Sequence, residues 1–196
     1  MAATRRTRKP RRTPTPRLTR EAAAIAETRL WAPWRARWIR GVAAEPGCLF
    51  CRVARSRADR RDLVLARRPH ALLMLNRYPY QSAHLMVAVR RHVGTVSGLT
   101  AAERADWLDL VALAERILTD AYRPDGMNLG INVGRVAGAG FPGHLHLHVV
   151  PRWQGDTNFM PAIARTRVLP ESLADTWRRL AVAVRRATPR RGHGAR

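Results

Sequence analysis

One short run, His144-Leu145-His146-Leu147-His148-Val149-Val150-Pro151, constrains this chain more than any other segment. Strict alternation is the period of a β-strand, whose successive side chains point to opposite faces. The run predicts a strand with three imidazoles on one face and Leu145, Leu147 and Val149 on the other. The apolar face needs a core to cover it, and the histidine face lines a cleft. Imidazole can be nucleophile, acid, base or metal ligand near neutral pH. Three of them on one face is a costly arrangement for a purely structural strand. The alternative is a hairpin feeding a strand of packing histidines, each of which would need its own buried partner.

The surrounding pattern indicates what covers that strand. Leu63–Leu65, Ala71–Asn76, His84–Val89 and Met127–Val133 read as further strands. Thr100-Ala101-Ala102-Glu103 is a capping box. It opens a helix predicted to reach Tyr122, with Trp107, Leu110, Val111, Ala114 and Leu118 on its apolar stripe. A last helix starts near Pro170 and puts Leu173, Trp177, Leu180 and Val184 on one face. Glu21–Leu30 reads as a short helix. It leads into Trp31, Trp34 and Trp38, too much apolar area for a free tail, so this segment is expected to dock on the body or on a partner subunit. The order strand, strand, strand, helix, strand, strand, helix predicts an α+β fold, an antiparallel sheet packed with helices.

Charge is extreme and uneven. The chain of 196 residues carries a net +22. Residues 1–20 hold eight Lys and Arg and no acid, and residues 185–196 hold five Arg and no acid. Residues 21–184 are thus one domain between a disordered basic arm and a basic tail. The arms read either as contacts for nucleic acid or another anionic surface, or as solvating tails. The arm lacks the apolar core of a secretory signal, and no apolar run reaches membrane-span length. Two cysteines do not make a disulfide framework. The expected location is cytoplasmic, with no membrane partner.

Residues two apart on a strand lie about 7 Å apart on one face. The central His146 is therefore the natural nucleophile, with neighbours placed to hold a phosphate or a leaving group. Gly134, Gly138, Gly140 and Gly143, in the loop before it, leave backbone N–H groups unshielded, which suits an oxyanion. Cys48 and Cys51 supply half of a tetrahedral zinc site, and His92 and His144 are the best candidates to complete it. Their alternative is a pair of core or redox thiols. A histidine committed to metal cannot attack phosphorus, so His144 goes to metal and His146 to chemistry. Asn76 can also be read as a turn cap, and His84 and Trp153 as packing residues.

At these residues the chain resembles the histidine triad (HIT) superfamily, which carries His-x-His-x-His with apolar x. The resemblance runs from about Trp31 to Pro161. Leu75-Asn76, His84-Leu85-Met86-Val87, Asn132-Val133-Gly134 and Pro151-Arg152-Trp153 are similar to the nucleotide-site strands of that family. The Trp31-to-Arg35 opening and the stretch from Gly155 to Phe159 are similar to the branch that includes bacterial diadenosine tetraphosphate phosphorylases. The resemblance implies a HIT-like sheet in a homodimer that acts on a nucleotide or dinucleoside polyphosphate. It implies attack of His146 on an α-phosphorus to give a nucleotidyl-histidine, which water or phosphate then releases. It implies ribose binding by Asn76, and α-phosphate binding by Asn132 and His148, with His148 near the leaving group. It implies a nucleotide site bordered by Gly138, Gly140 and Trp153, and a zinc set of Cys48, Cys51, His92 and His144. One departure stands out: Gly140 occupies the place, four residues before the first triad histidine, where the family has Ser or Gln. Two other readings remain: a slow nucleotide-binding regulator, and a nucleic-acid-associated enzyme that removes nucleotidyl adducts with help from the basic arms.

Overall fold

A computed structural model describes residues 47–156 and 171–188. The predicted helix at Glu21–Leu30, the tryptophan segment, the N-terminal arm and residues 189–196 lie outside them. The described residues form helix α1 (Leu49–Arg55), strands β1 (Val64–Arg67), β2 (Ala71–Leu75) and β3 (Leu85–Val89), and helix α2 (Ala101–Tyr122). Strands β4 (Gly126–Ile131) and β5 (His146–Arg152) and helix α3 (Leu173–Ala187) follow. The five strands make one antiparallel sheet in the order β1-β2-β3-β5-β4. The predicted α+β architecture is the one observed.

The register sorts the side chains. Across β3 and β5, Val87 pairs with Leu147 and Leu85 with Val149, while Met86 pairs with His148 and Ala88 with His146. Leu73, Val87, Leu147 and Val149 join a buried core with Trp107, Leu110, Ala114, Ile117 and Leu118 of α2 and Leu180 of α3. Each of these Leu, Ile and Val side chains, taken fully out of water, contributes about 1.5–3 kcal/mol. The Trp107 indole N–H reaches the Val87 carbonyl at 2.9 Å and pins α2 to the sheet. A second buried cluster occupies the opposite face: Leu72, Met74, Met86 and Ala88 against Phe50 and Val53 of α1. The histidines share that second face.

The capping box forms as predicted. Thr100 Oγ1 accepts from the Glu103 N–H at 3.2 Å, and the Glu103 carboxylate accepts from the Thr100 N–H at 2.8 Å. Arg91 clamps the same carboxylate with bonds of 2.7 and 2.8 Å.

Three details differ from the sequence reading. The paired strand starts at His146, not His144, because the Leu145 N–H leaves the ladder for the Val93 carbonyl at 2.7 Å. Helix α1, between and beyond the two cysteines, had not been expected. Arg185 and Arg186 are not tail but the last turn of α3, where positive charge faces the negative end of the helix dipole. Among the described residues, no helix is long and apolar enough to cross a membrane.

Candidate active site

Each triad histidine is oriented by a different hydrogen bond, and that bond decides which ring nitrogen has a lone pair to offer. His146 Nδ1 lies 2.8 Å from the His144 carbonyl oxygen. A carbonyl can only accept, so Nδ1 carries the proton and Nε2 keeps its lone pair. Burial lowers the His146 pKa, against the opposing effect of that same hydrogen bond. The ring is therefore neutral near pH 7, the form that can attack. It is 5 % exposed.

His148 has the reverse tautomer, and the reason lies in His84. The Tyr80 N–H donates to His84 Nδ1 at 3.1 Å, and the Asn76 side-chain amide approaches the same nitrogen at 3.4 Å. His84 Nδ1 must therefore accept, and its proton sits on Nε2. That Nε2 is 2.9 Å from His148 Nδ1, so His148 accepts there and holds its own proton on Nε2. Burial first, then His148 and His146, bring the His84 pKa down to about 3, which keeps His84 neutral. The His146 and His148 rings lie 5.0 Å apart, edge to face. Side by side, then, stand a nucleophilic nitrogen and an N–H donor.

His144 turns the other way. Its Nε2 is 2.7 Å from the Val89 carbonyl, so its Nδ1 lone pair faces out of the strand, toward α1. There it meets Cys48 Sγ at 3.3 Å, Cys51 Sγ at 3.6 Å and His92 Nδ1 at 3.3 Å, while Cys51 Sγ is 3.3 Å from His92 Nδ1. All four ligand atoms lie within 4.8 Å of one another, a group that could hold a metal ion. A tetrahedral ion bound at about 2.0–2.3 Å spreads its ligands about 3.3–3.8 Å apart, so the observed spacings fit such a centre. Two glycines let the His92 and His144 segments meet. A Cβ on Gly143 would come within 3.1 Å of His92 Nε2, and one on Gly94 within 2.9 Å of the Pro142 carbonyl.

The remaining predicted residues are more scattered. Asn76 joins the His84 group, and its Oδ1 accepts from the Tyr78 N–H at 2.9 Å. Asn132 follows β4 in the alternation of Asn128 and Gly130, and Gly130 pairs with His148. A Cβ on Gly130 would meet nothing within 4 Å, so the floor beside His148 is open. Gly138 corrects one expectation. Its N–H is spent on the Arg135 carbonyl at 3.0 Å, so it serves the turn, at φ +90°, and is not an open amide for a phosphate. Gly140 is half-buried. Trp153 is also half-buried, and its N–H donates to Asp156 at 3.2 Å. Among the described residues, no hydrogen bond joins Asn132, Gly140 or Trp153 to the triad.

Two residues at the site were missed. His84 had been weighed as packing, although it lies in alternation with Met86, the partner of His148. Phe50 stacks on His146 and His144 with centroids 4.7 and 5.1 Å away, and nothing in its sequence context marks it.

A five-stranded antiparallel sheet whose β5 carries the His-x-His pair of a His-x-His-x-His run has the pattern of the histidine triad class. Residues 57–155 match the HIT domain family, and the chain belongs to it. It is 38 % identical over 161 residues to the AP-4-A phosphorylase of Mycobacterium tuberculosis, spanning 78 % of this chain and 82 % of that one. A bis(5'-adenosyl)-triphosphatase of Saccharomyces cerevisiae is 32 % identical over 94 residues, which are 47 % of this chain and 45 % of that protein. Among solved structures, a zinc-bound histidine triad family protein of Mycobacterium smegmatis superposes with a TM-score of 0.57 at 22 % identity. The match covers 72 % of this chain and 95 % of that one.

Proposed function

We propose that this chain is an enzyme that cleaves a dinucleoside polyphosphate at the α-phosphate through a nucleotidyl-His146 intermediate. The observation that carries the reading is the opposite tautomers of His146 and His148, held side by side. The Nε2 lone pair of His146 attacks the α-phosphorus, and the bond from phosphorus to the bridging oxygen breaks. The leaving nucleotide departs as a phosphate anion, and the His148 Nε2–H holds a hydrogen bond on the bridging oxygen as charge develops there. The His146 ring becomes cationic when phosphorus bonds to Nε2. The His144 carbonyl, 2.8 Å from Nδ1, stabilises that charge. Water or inorganic phosphate then attacks the same phosphorus, the phosphorus–Nε2 bond breaks with its electron pair returning to the now neutral ring, and any proton of the attacking group leaves to solvent. Asn76 holds the ribose, Asn132 and the Gly140 N–H face the α-phosphate, and Trp153 borders the nucleotide. The identity to an AP-4-A phosphorylase supports this substrate class and favours phosphate as the acceptor.

Cys48, Cys51, His92 and His144 hold zinc in this reading. Four protein ligands close the coordination sphere, which is the form of a structural site. When bound, the ion ties α1 to the strand and takes no step in the reaction. The exposed edge strand β4, with Leu129 47 % exposed and Val133 just beyond the strand 48 % exposed, offers a second copy its pairing surface, giving a homodimer. The enzyme works in the cytoplasm.

Product analysis with diadenosine tetraphosphate tests the reading. ADP and ATP formed only with inorganic phosphate identify a phosphorylase. AMP and ATP formed without it identify a hydrolase using the same intermediate. No turnover in either case overturns the substrate class and leaves the binding-regulator reading. Loss of polynucleotide binding on removing residues 1–20, with small-nucleotide turnover unchanged, would make the basic arm an accessory.

A further inference from the structure

Phe50 lies between the two cysteines in the first turn of α1, and its ring is 1 % exposed. It offers no surface to a ligand. What it touches is the imidazole pair: His146 at 4.7 Å with a 31° tilt, and His144 at 5.1 Å with a 34° tilt. Phe141 packs against it edge-to-face at 5.5 Å. The hydrogen bond to the His144 carbonyl fixes only one point of the His146 ring. An imidazole held at Nδ1 alone can still tilt about that bond and carry Nε2 off line. A second restraint, on the plane of the ring, is needed to aim the lone pair, and Phe50 lies against that plane.

Phe50 is in turn held from behind. Helix α1 has seven residues and no side-chain cap, too short to persist alone. Its place depends on the burial of Phe50 and Val53 and on Cys48 and Cys51, each 3.3 Å from an imidazole nitrogen. The geometry assigns Phe50 as a positioning residue: the metal-binding turn presses its ring onto His146 and aims the nucleophile. This rests on the reading of His146 as nucleophile.

The test uses the full, metal-loaded chain with isotope-labelled histidine, read by nitrogen NMR at one fixed pH beside steady-state kinetics. Phe50→Leu keeps the apolar volume and removes the ring. Metal content should stay at that of the wild type, the His146 nitrogen signals should shift, and kcat should fall about tenfold with KM unchanged. Phe50→Tyr, which restores a ring, should recover kcat to within about threefold of wild type. In a chelation arm, removing metal from the wild type should shift the His146 signals in the same direction, and chelation of Phe50→Leu should add no further shift. The proposal is overturned if Phe50→Leu matches the wild type in both His146 signals and kcat. It is equally overturned if chelation moves those signals to the same extent with and without the ring, since the coupling would then run through His144 alone. If no nucleotide is trapped on His146 in the wild type, the covalent reading fails, and the NMR arms still decide whether Phe50 positions the ring.

Discussion

His144 and His146 sit two residues apart and both touch Phe50, yet they leave opposite ring nitrogens open. At His144 the Val89 carbonyl of the neighbouring strand accepts from Nε2–H, which turns Nδ1 toward two thiols and a second imidazole. At His146 the His144 carbonyl, just before its strand, accepts from Nδ1–H, which leaves the Nε2 lone pair open. The difference lies in which backbone oxygen each ring meets, because burial lowers both pKa values alike. Residue type made either role available. The hydrogen-bond partner chose between them.

The largest break in that comparison is His146→Ala. Turnover should fall by about 10⁴-fold or more, since a nucleophile has no substitute, with the fold retained. Acid-quenched wild-type enzyme should carry labelled nucleotide, and the variant none. Equal labelling of both would sink the covalent step. On the other side, Cys48→Ala should abolish stoichiometric metal while His146 remains. Metal at a thousand times its Kd stabilises a fold by about 4 kcal/mol, so the variant should melt well below the loaded wild type and near the chelated one. A melting point independent of metal would return the cysteines to core thiols.

His84→Asn acts on the third ring. It removes the donor to His148 Nδ1, so the Nε2 tautomer is no longer enforced and kcat should drop about 10–100-fold. The same variant changes acid sensitivity. His84 stays neutral in the fold down to about 3, whereas an unfolded histidine protonates near 6.5. Its stabilising contribution is thus full above about 6.5 and is lost as pH falls toward 3. Between pH 7 and pH 5 the wild type should lose about 2 kcal/mol more than His84→Asn. Parallel pH dependences of the two melting curves would contradict the neutral assignment.

How much of this was legible in the sequence depends on what each residue answers to. The alternation at His144–Val149 and the capping box at Thr100–Glu103 are local rules; the capping box formed where the pattern put it, and the strand formed two residues later, from His146. The C-x-x-C spacing pointed to His92 and His144, and the fold brings these histidines, 41 to 96 residues from the cysteines, into one group that could hold a metal ion. Helix α1 was not legible, because burial of Phe50 and Val53 holds it in place of a cap. His84 was ambiguous because its role depends on a partner 64 residues away. Ala83, just before it, adopts φ +58°, which no alanine advertises. Gly138 misled because a glycine amide counts as open only if no nearby carbonyl has taken it.

The smallest effect belongs to the far side of the sheet, and it separates stability from chemistry. Glu103 closes the capping box of α2 and receives two bonds from Arg91. The Arg91 hydrogen bonds first, and the Thr100 N–H next, bring its pKa down to about 2. That contribution is present above the ordinary carboxylate range and is lost as pH falls through it toward 2. Glu103→Gln keeps a shape that can still reach the Thr100 N–H but loses the charge, so the cost should be about 1 kcal/mol at pH 7, with less loss than wild type on acidification. Trp107, one turn further along α2, still donates to Val87, so the register that pairs Met86 with His148 should hold. Both kcat and metal content should therefore match the wild type. A drop in kcat at unchanged metal content would mean that the helix face reaches the histidine face through the sheet, and the division between closed core and chemical face would have to be redrawn.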